Sequence, residues 1–152
     1  MTEFRVYGTP APKGSKKGFY RGGHVVLVEQ SKNAKPWEQA VHWAARECGG
    51  EVKRGPITVG IIFLMPRTGS VSKKQTNVLH QKRPDLDKLV RCTWDGLTGI
   101  CFNDDSEIAF LLAKKRYCNL DESPGALIRV EIVENFGEME FLLWLMQPHK
   151  MS

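Results

Sequence analysis

A chain of 152 residues and 17.2 kDa, 41% apolar and 26% charged, is one domain of ordinary size with material for a real core. Its formal net charge of +5 is unevenly spread: the first 35 residues carry seven Lys or Arg against Glu3 and Glu29, and five more stand between Pro66 and Pro84 without an acid. No apolar run approaches the roughly 18 residues of a membrane span, the opening MTEFRVYG lacks the pattern of a secretory leader, and Cys48, Cys92, Cys101 and Cys118 form no C-x-x-C pair, which argues against zinc and fits reduced cytoplasmic thiols.

Phe4 to Tyr7 alternates as a short first strand. GTPAPKGSKKG follows, too rich in Pro and Gly for regular structure. Its Lys13, Lys16 and Lys17 read either as a phosphate-contacting arm or as a solubilising turn. Phe19-Tyr20, Arg21-Gly22-Gly23-His24 and Val25 to Val28 form a hairpin pattern around a glycine turn, with His24 in solvent. Ser31 or Asn33 can cap a helix over about 35–48, whose buried stripe is Trp37, Ala40, Val41, Ala44, Ala45 and Cys48; Gly49-Gly50 stop it, and His42 lies off the stripe. Ile57 to Met65 is a β-branched apolar run fit for a central strand, and Gly60 within it suggests a bulge or a close backbone approach.

Residues 66–83 have no usable period and read as a flexible basic loop, whose Lys73, Lys74, Lys82 and Arg83 either order over bound nucleic acid or belong to a disordered stretch of no consequence. A helix then begins after Pro84, burying Leu86, Leu89, Val90, Thr93, Trp94 and Leu97, while Asp87, Arg91 and Asp95 share another stripe. Gly99 ends it, Ile100 to Phe102 tucks inward, and 103–106 is a turn. Ile108 to Tyr117 and Ala126 to Val133 read as strands separated by a turn at 121–125. The tail, 134–152, carries a dense apolar patch from Phe141 to Met146, which is either a short element packed on the core or a surface hidden by a second subunit.

The chemistry sits in Arg83 to Glu107, with Asp85, Asp87, Asp95, Asp104 and Asp105. Crowded carboxylates repel, so clustering is favourable only around a cation or where the acids cap helices and turns. Asp85 and Asp87 can converge only if the helix starts between them, since helical geometry would set them about 200° apart. An oxygen-only set suits Mg²⁺, with Mn²⁺ possible. Basic stretches beside it suit a polyanionic substrate. P-loop, G-x-G-x-x-G, H-E-x-x-H and G-x-S-x-G patterns are all absent.

The runs PDLDKL, WDGL and NDDSEI, with the opening V-x-G-x-P-x-P-K-G from Val6 to Gly14, resemble RusA-type Holliday junction resolvases over about residues 4–133. That resemblance implies an α/β (α+β) fold, a small mixed sheet flanked by two main helices in a single domain, assembled as a symmetric homodimer. It implies an endodeoxyribonuclease, DNA-associated in a bacterial or phage-infected cell, that makes paired nicks in four-way junctions with Mg²⁺ or Mn²⁺. It places the essential metal-binding aspartates at Asp85, Asp87 and Asp105, with the neighbouring Asp104 as a less critical ligand. Lys88 stands where the family often has Asn, and Arg91 where it has a lysine. Arginine keeps the charge and can grip a phosphate but is a poor proton donor. Asp95 falls on a position with a supporting role. Two other readings stay open on the residues alone: a Mg²⁺-dependent nuclease for flaps or other branched DNA, and a non-catalytic basic DNA-binding protein.

Overall fold

A computed structural model describes residues 1–14, 16–29, 31–132 and 143–148. Its elements run β1 (Thr2–Tyr7), β2 (Lys16–Arg21), β3 (His24–Glu29), α1 (Ala34–Glu47), β4 (Ile57–Met65), α2 (Leu86–Leu97), a 3-10 turn at Asp105–Glu107, β5 (Ile108–Tyr117) and β6 (Gly125–Ile132). β1, β6, β4 and β5 form a four-stranded sheet in that order, and β2 and β3 form a separate two-stranded one.

β4 pairs antiparallel with β6 and parallel with β5, so the sheet is mixed and β4 is interior. All nine of its residues are buried, as expected of a mainly apolar run covered on both faces, with Thr58 its one polar member. Gly60 lies in regular register there. The irregularity expected at that glycine is instead between Ile57 and Thr58, where β5 gives two residues to one step.

Alternation splits the strands between two clusters. On one face Ile57, Val59, Ile61, Phe63 and Met65 meet Phe4, Val6, Ile128 and both helices. On the other, Ile62 and Leu64 meet Cys118 and Trp144. Both helices therefore cover the same face, and a short helical turn at 143–146 seals part of the opposite one. There Trp144 donates from Nε1 to Glu3 Oε2 at 3.0 Å. Val133 and Phe141, which belong to two of the sequence readings, fall outside the described residues.

α1 buries Trp37, Val41 and Ala45 as its spacing predicts, and Ala34 at its start; Ala40 and Ala44 are partly buried, and Cys48 is exposed, one residue past the helix where the stripe no longer faces the core. Trp37 Nε1 donates to Thr93 Oγ1 at 3.1 Å, and that hydroxyl donates to Leu89 O at 2.9 Å, so the helices share a satisfied polar contact in a largely apolar interface. The helices approach closely at Gly96: a Cβ there would stand 2.7 Å from Glu38 O and 2.8 Å from Val41 Cβ.

β4, α2 and β5 form a parallel crossover. Its direction decides where the acids lie. The start of α2 is at the end of the sheet where β4 and β5 finish, and its end is where they begin.

Candidate active site

Asp85 is the N-cap of α2, with φ −66° and ψ 140°, and the helix proper begins at Leu86. The turn falls between Asp85 and Asp87, as convergence of the pair demands. Asp85 makes no capping bond with its side chain. Its carboxylate instead meets Lys88 Nζ at 3.2 Å and is 54% exposed. Asp85 therefore starts the helix through its backbone, Leu89 N donating to its carbonyl at 3.1 Å, and leaves its carboxylate to Lys88 and solvent. Asp87 occupies the first turn, where helix N–H groups and the macrodipole favour negative charge.

These two acids open on different recesses. Asp85 and Lys88 line a cleft of about 610 Å³ with Thr9 to Pro12, Ser31, Asn33, Met65, Arg83 and Pro84. Asp87 and Arg91 line a groove between α2 and the edge strand β5, whose floor is Leu86, Val90, Trp94, Leu111 and Ala113.

The turn that presents Asp85 is held from β5. Lys115 Nζ donates to the carbonyl oxygens of Lys82 at 2.5 Å and Pro84 at 2.6 Å. The peptide bond between Arg83 and Pro84 is cis. His80 sits beside it, its N–H bonded to Lys115 O at 3.1 Å and its ring tilted against Tyr117. Burial first, then the charges of Lys115 and Lys82, hold the His80 imidazole below its ordinary pKa.

Asp104 and Asp105 lie elsewhere. Asp104 accepts from Ser106 N at 2.9 Å and caps the 3-10 turn. Ser106, through side chain and backbone, keeps its carboxyl below the usual range. Asp105 is exposed and opens that turn. The twelve residues of α2 span about 18 Å at ~1.5 Å per residue. β5 separates Ile108 from Lys115 by a similar distance, roughly 23 Å at ~3.3 Å per residue. Asp105 is thus roughly 20 Å from Asp85 and Asp87 within one chain. Among the described residues no group of three His, Cys, Asp or Glu is placed to hold a metal ion. One copy brings Asp85 and Asp87 to the same helix turn and leaves Asp105 at the other end.

The basic residues divide as well. Lys13 is turned inward, with Nζ 2.7 Å from Asp95 and 3.4 Å from Glu38, so its charge is already answered and Asp95 has a structural partner. The hydrogen bond to Asp95 raises the Lys13 pKa. Lys17, Lys73, Lys74, Lys82 and Arg83 are exposed; the Lys16 side chain lies outside the described residues. No regular element spans 66–83, but Arg67 bonds the carbonyls of Cys118, Ser72 and Gln75, and the strand edge takes Val78 and His80 through Tyr117 N and Lys115 O. Lys115 was not singled out by the sequence reading. Its signal was the run of three cations, Lys114, Lys115 and Arg116, near the end of β5.

Exposed carboxylates at a helix N-terminus, ringed by Arg83, Lys88 and other cations, are the parts of an enzyme that works on a polyanion. The comparison with known families narrows that class. The model of the family described as Endodeoxyribonuclease RusA matches residues 7–131, and the chain belongs to that family. The family is one of Holliday junction resolving endonucleases. The chain is also similar to the uncharacterized protein YqaN of Bacillus subtilis (strain 168), 29% identical over 140 residues, covering 86% of this chain and 93% of that protein. No helix among the described residues is long and apolar enough to cross a membrane.

Proposed function

We propose that the chain is a divalent-metal-dependent endonuclease that resolves four-way DNA junctions by paired nicks, acting as a two-fold homodimer. The observation that carries the dimer is the separation of Asp85 and Asp87 from Asp105 along α2. Among the described residues, one copy does not bring three carboxylate donors together and so does not fit a divalent ion. Two copies related by a two-fold axis crossing α2 would lay those helices antiparallel. Asp85 and Asp87 of one would then face Asp105 of the other, at two equivalent sites. The apolar groove of Leu86, Val90, Trp94, Leu111 and Ala113 lies along that helix and supplies a self-complementary face.

In such a pair, Asp85, Asp87 and Asp105 would hold Mg²⁺ or Mn²⁺, with Asp104 orienting the turn beside them. The bound ion supplies a water of lowered pKa and screening of phosphate oxygens. The chain's own groups do the rest. Lys88, 3.2 Å from Asp85, and Arg91 stand where negative charge on a phosphate would need support. Lys115 fixes the turn that aims Asp85. Lys73, Lys74, Lys82 and Arg83 would hold the junction arms by their backbones, a contact that weakens with salt.

The test is cleavage of a four-way junction, a flap and a linear duplex, with and without Mg²⁺. Paired nicks in the junction alone, lost in Asp85→Asn with binding retained, support the proposal. Cutting of flaps in preference to junctions, or binding with no cutting at any metal concentration, would overturn it.

A further inference from the structure

The β2–β3 hairpin stands apart from the body. Residues 17–27 are exposed throughout, and the two strands form a sheet of their own. Phe19 is opposite Val26 and Tyr20 opposite Val25. Opposed residues share a face and successive ones alternate. One face therefore carries Lys17, Phe19, Arg21, His24 and Val26, and the other Tyr20, Val25 and Leu27. Phe19 is 50% exposed, Tyr20 80% and Leu27 63%. A hairpin lying on its own domain wets one face; this one wets both. Exposed apolar strands favour aggregation unless they serve contact.

Charge and position point to the contact. Lys16, Lys17 and Arg21 lie between residues 16 and 27 with no acid among them. The Lys17 ammonium stands 5.6 Å from the centroid of the Phe19 ring. Gly22 and Gly23, with φ 59° and 83°, make a two-residue turn and keep the tip narrow. Both ends of the arm rise from the cleft of Asp85: Pro12 before it and Ser31 after it line that cleft. Lys13 N donates to Lys88 O at 2.9 Å, anchoring the base of the arm to the first turn of α2.

We propose that this hairpin is a wedge that enters the branch point of the DNA. Phe19 and Tyr20, on opposite faces, stack on bases that have lost a neighbour there, and Lys17 and Arg21 hold the flanking phosphates. An intact duplex keeps its bases stacked and would cover one face only. Diverging arms can cover both. Stacking on aromatic rings is indifferent to sequence, and apolar wedges between base steps are an established way to open DNA. The inference rests on the proposed action on branched DNA and names what would distinguish a junction from a duplex.

The full chain, without divalent metal, is titrated with a four-way junction carrying 2-aminopurine at the branch and with a duplex of the same sequence. Phe19→Leu and Tyr20→Leu, which keep bulk and remove the ring, should each weaken junction binding about tenfold. They should leave duplex binding within about twofold and diminish the 2-aminopurine change; Phe19→Trp should restore both. Because these side chains are exposed, thermal unfolding should not move. Leucine variants that bind and perturb the junction as the parent does, or lose junction and duplex affinity alike, overturn the wedge while leaving the nuclease reading standing. A shift of the variants from dimer to monomer in sedimentation also overturns it, in favour of a second copy as the occupant. A parent chain with no preference for the junction removes both.

Discussion

Lys115, on the edge strand β5, donates to the carbonyl oxygen of Pro84 at 2.6 Å and so sets the residue before Asp85 from the neighbouring strand. An exposed carboxylate on a turn would otherwise be free to swing. Lys115→Met is expected to slow junction cleavage about ten- to hundredfold, since small misplacements of reacting groups cost that much. Stability should fall by about 1 kcal/mol. Unchanged cleavage with the stability loss intact would show that the contact does not aim the acid.

The separation of Asp105 from Asp85 gives a mixing test. Asp85→Asn and Asp105→Asn homodimers should each be inactive. Co-refolded together, they form a heterodimer in which one site keeps all its acids and the other loses two. That heterodimer should nick junctions once without resolving them. Silence on mixing, with heterodimers present, would place the whole site within one chain.

Glycine 96 is where α2 crosses α1. Gly96→Ala puts a methyl against Glu38 O and Val41, backbone and β-branched neighbours that cannot move aside cheaply. Overpacking of this kind costs roughly 1–3 kcal/mol, which chemical denaturation would measure. A variant as stable as the parent would mean that the helices are less closely packed.

Arg116 and Glu122 form a two-pronged ion pair at 2.6 and 2.9 Å, both side chains nearly buried, with Asn119 N donating to the same carboxylate. Burial pushes the Glu122 carboxyl up, but the Arg116 and Asn119 bonds outweigh it and the net shift is down. The pair's contribution is therefore complete above the unfolded glutamate pKa and is lost as pH falls through the lower folded value. Glu122→Gln leaves a buried cation without its counter-charge and should cost about 3–5 kcal/mol. A loss under about 1 kcal/mol in urea unfolding would contradict this.

His80 adds a second linkage of the same sign. Its folded pKa is lowered, so the neutral form is favoured; stability from it is full above the unfolded value and falls as pH drops from there through the folded one. Removing Lys115 should raise the midpoint, as followed by imidazole NMR. A midpoint at or above the ordinary histidine value in the parent would refute the assignment.

Much of this was legible in the residues. Pro84 and the apolar period from Leu86 located the start of α2 between Asp85 and Asp87, because proline suits an entry and the period admits one buried face. The all-buried β4 followed from an apolar, β-branched run that only Thr58 interrupts. The cluster of Asp85, Asp87 and Asp105 did not follow, since twenty residues along a chain say nothing of direction. A helix of twelve residues between them carried the warning, because it must set its ends about 18 Å apart. The pairing of Lys13 with Asp95 was illegible for a similar reason: eighty-two positions separate them, and only the fold brings the loop over α2.

At the far side of the sheet, Trp144 rests on Ile62 and Leu64, and Lys114 bonds the carbonyl of Leu145. The last described stretch of chain thus works as a stopper for an otherwise greasy surface. A protease or a premature stop codon that removed it would uncork the sheet without touching a single acid of the proposed site, so clumping of an intact nuclease, rather than a broken one, is what such damage should produce.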